Sequence, residues 1–415
     1  MFEDSEEFKE RKRKPFVPPD VLISSVSLSE IRKAIPPGLH QKSTALGLWY
    51  FVRDILCVSC IYYLGSTIDS FTVGLSGFLQ LGWISESLIF WTLWAVYWFW
   101  QGVAMAGMWC LAHEAGHGTL SDCHRFNTAV GYILHTVLFT PYFGWRSTHH
   151  AHHKATSSIE RDENYVPYTR SELGLPPIAA SHAINYHDVL EETPIYTLGA
   201  MLVMQLSGLQ LYLLTNIQGS RIYPKGTNHF FPSSPLFKLH EARSIIVSDI
   251  GLAFMVYVLW EFSIAVGWGR MLKLYLIPYL VFMITFLHHC DPTLPHYRNK
   301  EWTFLRGALA TVDRPLMGWI GRFFFHNVSH DHIAHHIFSS IPMSPNSHAM
   351  TDNQPEVTKQ LKEILGEHYN SDSTNCFRAL YRSFTECTFI EDEGDIVFYK
   401  NRLGKTGRYT DAEVK

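Results

Sequence analysis

Three histidine-rich boxes constrain this chain more than any other feature of it. His149-His150-Ala151-His152-His153 places four imidazoles in five residues, in a chain with 23 histidines among 415 residues. The pattern recurs at His332-Ile333-Ala334-His335-His336, and His113-Glu114-Ala115-Gly116-His117 carries a related i, i+4 pair. On a helix, positions i, i+3 and i+4 share one face, so His149, His152 and His153 converge while His150 points away. Boxes this far apart can share a metal site only if the fold returns all three to one place. The rest of the sequence is read as the scaffold that does so.

That scaffold is a membrane protein. Hydrophobic residues make up 47%, aromatics 14% and charged residues 17%, the last well below the roughly 25% of soluble domains. The apolar residues cluster in long runs, while a mean hydropathy of −0.01 leaves much of the chain outside the bilayer. Spans are predicted at 45–65, 88–112, 245–266 and 272–287, the first at the roughly 20 residues that a crossing needs. Arg53 and Asp54 within it read as an ion pair or a snorkelling position. Residues 67–87 contain no Lys or Arg, whereas the N-terminal side contains many, so the N-terminus is expected in the cytosol and this link in the lumen. Arg270 and Lys273, on the luminal side, run against that topology. Two further apolar runs, 130–145 and 195–215, read as re-entrant or surface-lying segments.

The expected architecture is an all-α integral membrane protein: about four transmembrane helices under a cytosolic helical cap that holds the boxes. Its expected divisions are a cytosolic N-terminal segment (1–44), a membrane-embedded domain with the three boxes (45–342) and a cytosolic C-terminal region (343–415). Residues 1–20 are highly charged and expected to be mobile; no apolar core follows their basic cluster, as a signal peptide requires. Ser27-x-x-Glu30 is a capping box, and Pro36-Pro37 a stop, for a short helix at the membrane surface.

A net charge of −4, with no basic tract beyond that N-terminal cluster, excludes nucleic acid as a partner. The seven cysteines are dispersed, which fits reduced, cytosol-facing thiols rather than a disulfide framework. Cys57-x-x-Cys60 lies inside an apolar run without a second pair, so it lacks the context of a zinc or redox motif.

Imidazole suits zinc, copper, iron and nickel, and the ligand count narrows the choice. A tetrahedral zinc is closed by four groups. His113, His117, His149, His152, His153, His332, His335 and His336 are too many for that and suit two metals sharing exogenous ligands. Acids at Glu160, Asp162 or Glu163 stand close enough in sequence to support the ligands from outside. Two irons beside a membrane suggest oxygen activation and attack on a lipid C–H bond. The rival reading is literal: His113-Glu114-x-x-His117 is the H-E-x-x-H of zinc proteases, where the Glu is a general base. It leaves two other boxes unexplained. His289, leaving the fourth span beside His288, is a ninth candidate ligand; His326 and His330 are weaker ones. His40, His124, His182, His187, His229, His240, His348 and His368 are isolated and read as surface or packed residues.

At this point the residues resemble membrane-bound fatty acyl desaturases, most closely the oleate delta-12 type of plants and fungi. Matching stretches include EIRKAIPP (30–37), ERDENYVP (160–167), LYLLTN (211–216), LPHY (294–297), GALATVDR (307–314), FHNVSHDHIAHHIFSSIP (325–342) and ECTFIEDEG (386–394). The resemblance implies a four-span, cytosol-facing enzyme of the endoplasmic reticulum membrane with two Fe ions. It implies His113, His117, His149, His152, His153, His332, His335 and His336 as ligands, with His289 at the position of an extra histidine. It further implies electrons from NADH through a reductase and cytochrome b5; this chain has no His-Pro-Gly-Gly of a fused cytochrome, so the donor is expected to be a separate protein. No C-terminal dilysine stands at Asp411–Lys415, so the compartment rests on the resemblance.

The departures are local. Ala115 and Gly118 replace the usual Cys and His or Gln, His150-Ala151 a basic or polar pair, and His288 a Gln. Such neighbours of the boxes are where relatives divert the oxidant to acetylenic, conjugated, hydroxyl or epoxide products. The expected activity is a delta-12 desaturation of oleoyl groups, with phospholipid as the expected acyl carrier. The alternatives are a diverged acetylenase, hydroxylase or delta-15 desaturase.

Overall fold

The computed structural model describes residues 3–19, 27–176, 193–280, 286–342 and 353–410. The N-terminal segment is anchored, against the expectation of mobility. Helix α1 (Glu6–Arg13) is capped by Ser5, with Glu6 and Glu7 in its first turn and Arg11, Lys12 and Arg13 in its last, which matches the helix dipole. Phe8 is 1% exposed, and Arg11 Nε donates to Thr293 Oγ1 at 3.2 Å. The charges of this segment have buried partners far along the chain, which composition alone does not reveal. Helix α2 (Leu28–Ala34) opens with the expected capping box between Ser27 and Glu30. Its Ile31 pairs with Ile333 and Ile337 in one apolar cluster, so α2 braces the third box from outside.

Among the described residues, four helices are long and apolar enough to cross a membrane: α3 (Thr44–Leu79), α4 (Trp83–His117), α7 (Pro194–Thr215) and the stretch Leu239–Val266 that contains α8 (Ala242–Val266). Between α4 and α7 lie α5 (His124–Val137) and α6 (Tyr142–Ala155). Helix α3, with 36 residues, is about 54 Å long, far beyond the roughly 30 Å of hydrocarbon. The predicted link at 67–87 is therefore mostly helix, with the turn confined to residues 80–82. Within it, the hydroxyls of Thr67, Ser70 and Thr72 donate to carbonyls three or four residues earlier in the same helix. Helix α4 continues unbroken to His117, so its last two turns carry the first box.

Of the two further apolar runs, the one at 195–215 differs from expectation. Residues 130–145 divide between α5 and α6, two cap helices beside α4. The run at 195–215 is a full 22-residue helix with Ile195, Leu198 and Leu202 exposed, a lipid-facing pattern. The predicted fourth span begins in a continuous helical run over 268–280, with a π turn at Leu272–Leu276, and Phe286–His289 is helical again; residues 281–285 lie outside the described residues. An apolar run has the same composition whether it faces lipid or lies in a cap, so periodicity alone does not separate them.

The C-terminal part adds α9 (Gly318–Phe325), α10 (His332–Ile337), α11 (Asn353–Leu365) and α12 (Cys376–Glu386). A short antiparallel ribbon of β1 (Pro295–Tyr297) and β2 (Ile396–Phe398) departs from the all-α expectation. The main core packs the second half of α4, from Val103 to Ala115, against α5, α6 and the end of α9. Arg53 and Asp54 on α3 form the expected pair at 2.7 Å, and Asp54 Oδ2 also lies 2.6 Å from His326 Nε2. That contact ties α3 to the C-terminal part.

Candidate metal centre

The end of α4, the inner face of α6 and helix α10 deliver the three boxes to one buried place. His113, His117, His149, His153 and His335 form one group whose nitrogens lie within 4.8 Å of one another, and His152, His289 and His336 form a second. His332 completes the second group, with Nε2 3.0 Å from that of His289 and 3.2 Å from that of His336. Each H-x-x-H-H box therefore serves both groups. On α6, His149 and His153 face the first and His152 the second; on α10, His335 faces the first, and His332 and His336 the second. His289 arrives from the short helix Phe286–His289.

Other side chains set the rings. Glu114 Oε1 lies 3.1 Å from Nδ1 of both His113 and His335, and Thr119 Oγ1 donates to Oε2 at 2.9 Å. Asp162 accepts from Nδ1 of His152 at 2.7 Å and from the backbone N–H groups of Ser157 and Asn164. His332 Nδ1 donates to the Val328 carbonyl at 3.1 Å. With the proton on Nδ1, His113, His152 and His332 each turn a bare Nε2 lone pair inward. Of the three acids named from sequence, Asp162 takes this role, whereas Glu163 bonds Tyr223. Glu114 stands out in the sequence only as the neighbour of His113, and its spacing suggests a general base. In the fold it is fully buried between the rings of His113 and His335 and is not among the residues that line the cavity described below.

The donor set fits cations. Burial first, and then neighbouring imidazoles, hold His149, His153, His289, His332 and His336 well below the ordinary histidine pKa, so they are neutral. Nε2 atoms approach at 3.0 Å between His117 and His149 and at 3.1 Å between His149 and His153. Inward lone pairs repel one another, and a shared cation removes that cost. Among the described residues, Nε2 of His152 and Nδ1 of His153 have no hydrogen-bond partner although both are buried. Two groups of five and four imidazoles could hold two metal ions.

The remaining histidines turn elsewhere. His150 points its Nε2 to the Gly116 carbonyl at 3.0 Å, away from both groups. His326 is held by Asp54, and His288 donates Nδ1 to the Val312 carbonyl while stacking on His332. His330 belongs to neither group. Of the isolated histidines, His229 is buried against Tyr212, and His182, His187 and His348 lie outside the described residues.

A cavity of about 310 Å³ opens onto the metal groups, lined by His149, His152, His289 and His332 at its base and by Trp109, Trp145, Tyr165 and Phe286. Its far wall is α7, through Val203, Met204, Leu209 and Tyr212. The tryptophans also lock ligands: Trp145 stacks on His149 with ring centres 4.5 Å apart. No Lys, Arg, Asp or Glu lines the cavity among the described residues. Ala115, Gly118, His150, Ala151 and His288, the departures near the boxes, are not among its lining residues.

Span-length helices beside a buried histidine cluster that could hold metal ions, with an apolar slot opening onto it, define a membrane protein with a candidate metal centre. The comparisons with known proteins narrow the class. A family model described as fatty acid desaturase matches residues 90–372. The chain is 38% identical to a Delta(12) fatty acid desaturase of Mortierella isabellina over 93% of this chain and 94% of that protein. It is 35% identical to a Delta(12)-fatty-acid desaturase of Arabidopsis thaliana over 91% and 92%. It is also 34% identical to an oleate hydroxylase of Claviceps purpurea, over 93% of this chain and 82% of that protein. The chain belongs to the fatty acid desaturase family and is an oxidoreductase.

Proposed function

We propose that this protein inserts a cis double bond at the delta-12 position of oleoyl groups to give linoleoyl groups. The observation that carries the reading is the union of the nine-histidine centre with an apolar slot in a chain so similar to delta-12 desaturases. Two Fe ions would be held by His113, His117, His149, His153 and His335 on one side and by His152, His289, His332 and His336 on the other. Bound there, they would supply reductive activation of O2. The overall reaction takes one acyl –CH2–CH2– unit, O2, two electrons and two protons to –CH=CH– and two waters.

The chain's own residues bind, orient and exclude water. Glu114 and Asp162 fix the rings of His113, His335 and His152 before any substrate arrives, and Trp109, Trp145 and Phe286 shape a dry slot. The polar features of the wall include Asn164, whose Oδ1 accepts from Tyr212 at 2.7 Å. Val203 lines the slot and is 60% exposed on α7, so the mouth lies on an apolar flank of the molecule. An acyl chain entering there stays in the bilayer with its phospholipid headgroup, and among the described residues the lining holds no Lys or Arg for the phosphates of a nucleotide thioester. In this reading the protein resides in the endoplasmic reticulum membrane with its centre facing the cytosol, and cytochrome b5 with its NADH-dependent reductase delivers the electrons.

A second reading, oleate hydroxylation, is favoured by the Claviceps relative. Desaturation is preferred because the departures beside the boxes leave the slot lining untouched. The test is the fatty-acid profile of yeast that supply oleate and cytochrome b5 but make no polyunsaturates. An 18:2 product with its new bond at carbon 12 is expected. A hydroxylated 18-carbon product would establish the second reading instead. Replacing His113, His153 or His336 with Ala is expected to abolish the product without loss of membrane insertion; full activity in any of them would sink the metal assignment.

A further inference from the structure

We propose that Arg314 is the positioning residue of the second histidine group, holding His289 and His332 in register from a buried ionic hub outside the metal site. This deepens, and rests on, the two-metal reading above. His289 needs such a device. It stands outside the boxes, at the end of the helical stretch Phe286–His289, and among the described residues its Nδ1 has no hydrogen-bond partner. Among the described residues no carboxylate sets its ring as Glu114 and Asp162 set others; its ring stacks on Tyr165, with centres 4.6 Å apart, and the backbone holds the rest.

Arg314 grips that backbone at both ends. Its Nε donates to the Leu287 carbonyl at 2.8 Å, and Nη2 donates to Asp291 Oδ2 at 2.8 Å. Leu287 and Asp291 flank His289 by two residues on either side. The third donor, Nη1, reaches Asp372 Oδ2 at 2.6 Å. The main chain of the same residue holds the other half of the group. Arg314 N–H donates to the Ser329 carbonyl at 2.9 Å, and Ser329 Oγ donates back to the Arg314 carbonyl at 2.6 Å. The adjacent carbonyl, that of Val328, accepts from His332. Val312 N–H donates to the His288 carbonyl, and Asp313 Oδ1 accepts from Ile333 N–H at 2.9 Å. Residues 312–314 thus form a strut between two ligand-bearing segments that are distant in sequence.

The hub is closed by Arg382, whose Nη2 donates to both Asp372 and Asp291 at 2.5 and 3.3 Å, and by Arg11 of α1, 3.9 Å from Asp291. Asp4 adds a carboxylate on Arg382 at 2.7 Å. Burying such a cluster yields little net stability compared with an apolar core of the same size. Its fixed fork geometry yields placement, which an apolar core does not.

The test uses the full chain in lipid nanodiscs, loaded with ferrous iron. Arg314→Lys keeps the charge, but one ammonium cannot serve a carbonyl and two carboxylates in a plane. Iron per chain, affinity by chelator competition and iron spectroscopy are read beside the thermal transition of the metal-free protein. The expected result is a first equivalent bound as in the unmodified chain and a second weakened by about 10–100-fold, the range for groups that orient metal ligands. Arg11→Gln, at the rim of the hub, is expected to weaken the same equivalent by less, and it decides the matter where Arg314→Lys does not fold. Two irons bound with unaltered affinity in the folded variants would overturn the proposal. So would parallel loss of both irons with a falling transition, which marks general support of the fold. An unmodified chain that binds fewer than two irons would instead overturn the two-metal reading itself.

Discussion

Glu114→Gln separates what the fold says about the first box from what its spacing suggests. The carboxylate Oε1 lies 3.1 Å from Nδ1 of His113 and of His335, two members of the same metal group. A hydrogen bond to a charged group contributes about 1.5–3 kcal/mol and a neutral one about 1. Glutamine keeps the shape and one acceptor but loses the charge at both contacts, so the group loses on the order of 2 kcal/mol of ligand orientation. At about 1.4 kcal/mol per tenfold, metal binding at the first group should weaken roughly 30-fold, with the second group unaffected. Chelator competition on the purified protein measures this directly, and turnover should return when excess iron is supplied. The reasoning fails if Glu114→Gln holds both metals with unaltered affinity while turnover is lost. That pattern would make Glu114 a proton carrier, as in the H-E-x-x-H of a protease.

His150→Ala should keep the full metal content and most activity, because its ring bonds the Gly116 carbonyl rather than a group; loss of an iron in that variant would contradict the inward and outward assignment on α6. Met204→Trp places a larger ring in the slot wall on α7 and should cut product formation at least tenfold, of the order expected when overpacking costs 1–3 kcal/mol, with iron content unchanged; an unaltered product yield would remove α7 from the substrate path. Acid should release α1. Burial raises the pKa of Asp4, but hydrogen bonds and charge from Arg378 and Arg382 outweigh it and hold the carboxyl below the ordinary range. A depressed carboxyl stabilises the docked state above its unfolded value, about 3.9, and that stabilisation is lost as pH falls through the lower folded value. A spin label at Lys9 should stay immobile from pH 7 to about pH 5 and loosen below pH 4; loosening near neutrality would refute the role of Asp4.

Part of this molecule is legible one residue at a time. The two H-x-x-H-H boxes declare a shared helical face, and His150 follows from the same geometry. Long apolar runs declare membrane helices, and Ser27 with Glu30 declares a cap. These are local properties, set by the 3.6-residue period and by the reach of one side chain, so any short window of the chain contains them.

What the tertiary structure decided is long-range pairing. Only in the fold do His149 and His153 part from His152, because α4, α6 and α10 meet at angles that no single box encodes. Glu114 changes from an apparent base to a brace because His335, over two hundred residues away, arrives on its other side. The run at 195–215 becomes a slot wall, and the charged N-terminus becomes part of the hub under His289, because their partners lie elsewhere in the chain. The sequence by itself determined the ligand chemistry and the solvent in which the helices lie. The division of nine histidines into two groups, and the buried charges that hold them, depend on contacts between distant segments, and those exist only once the chain is packed.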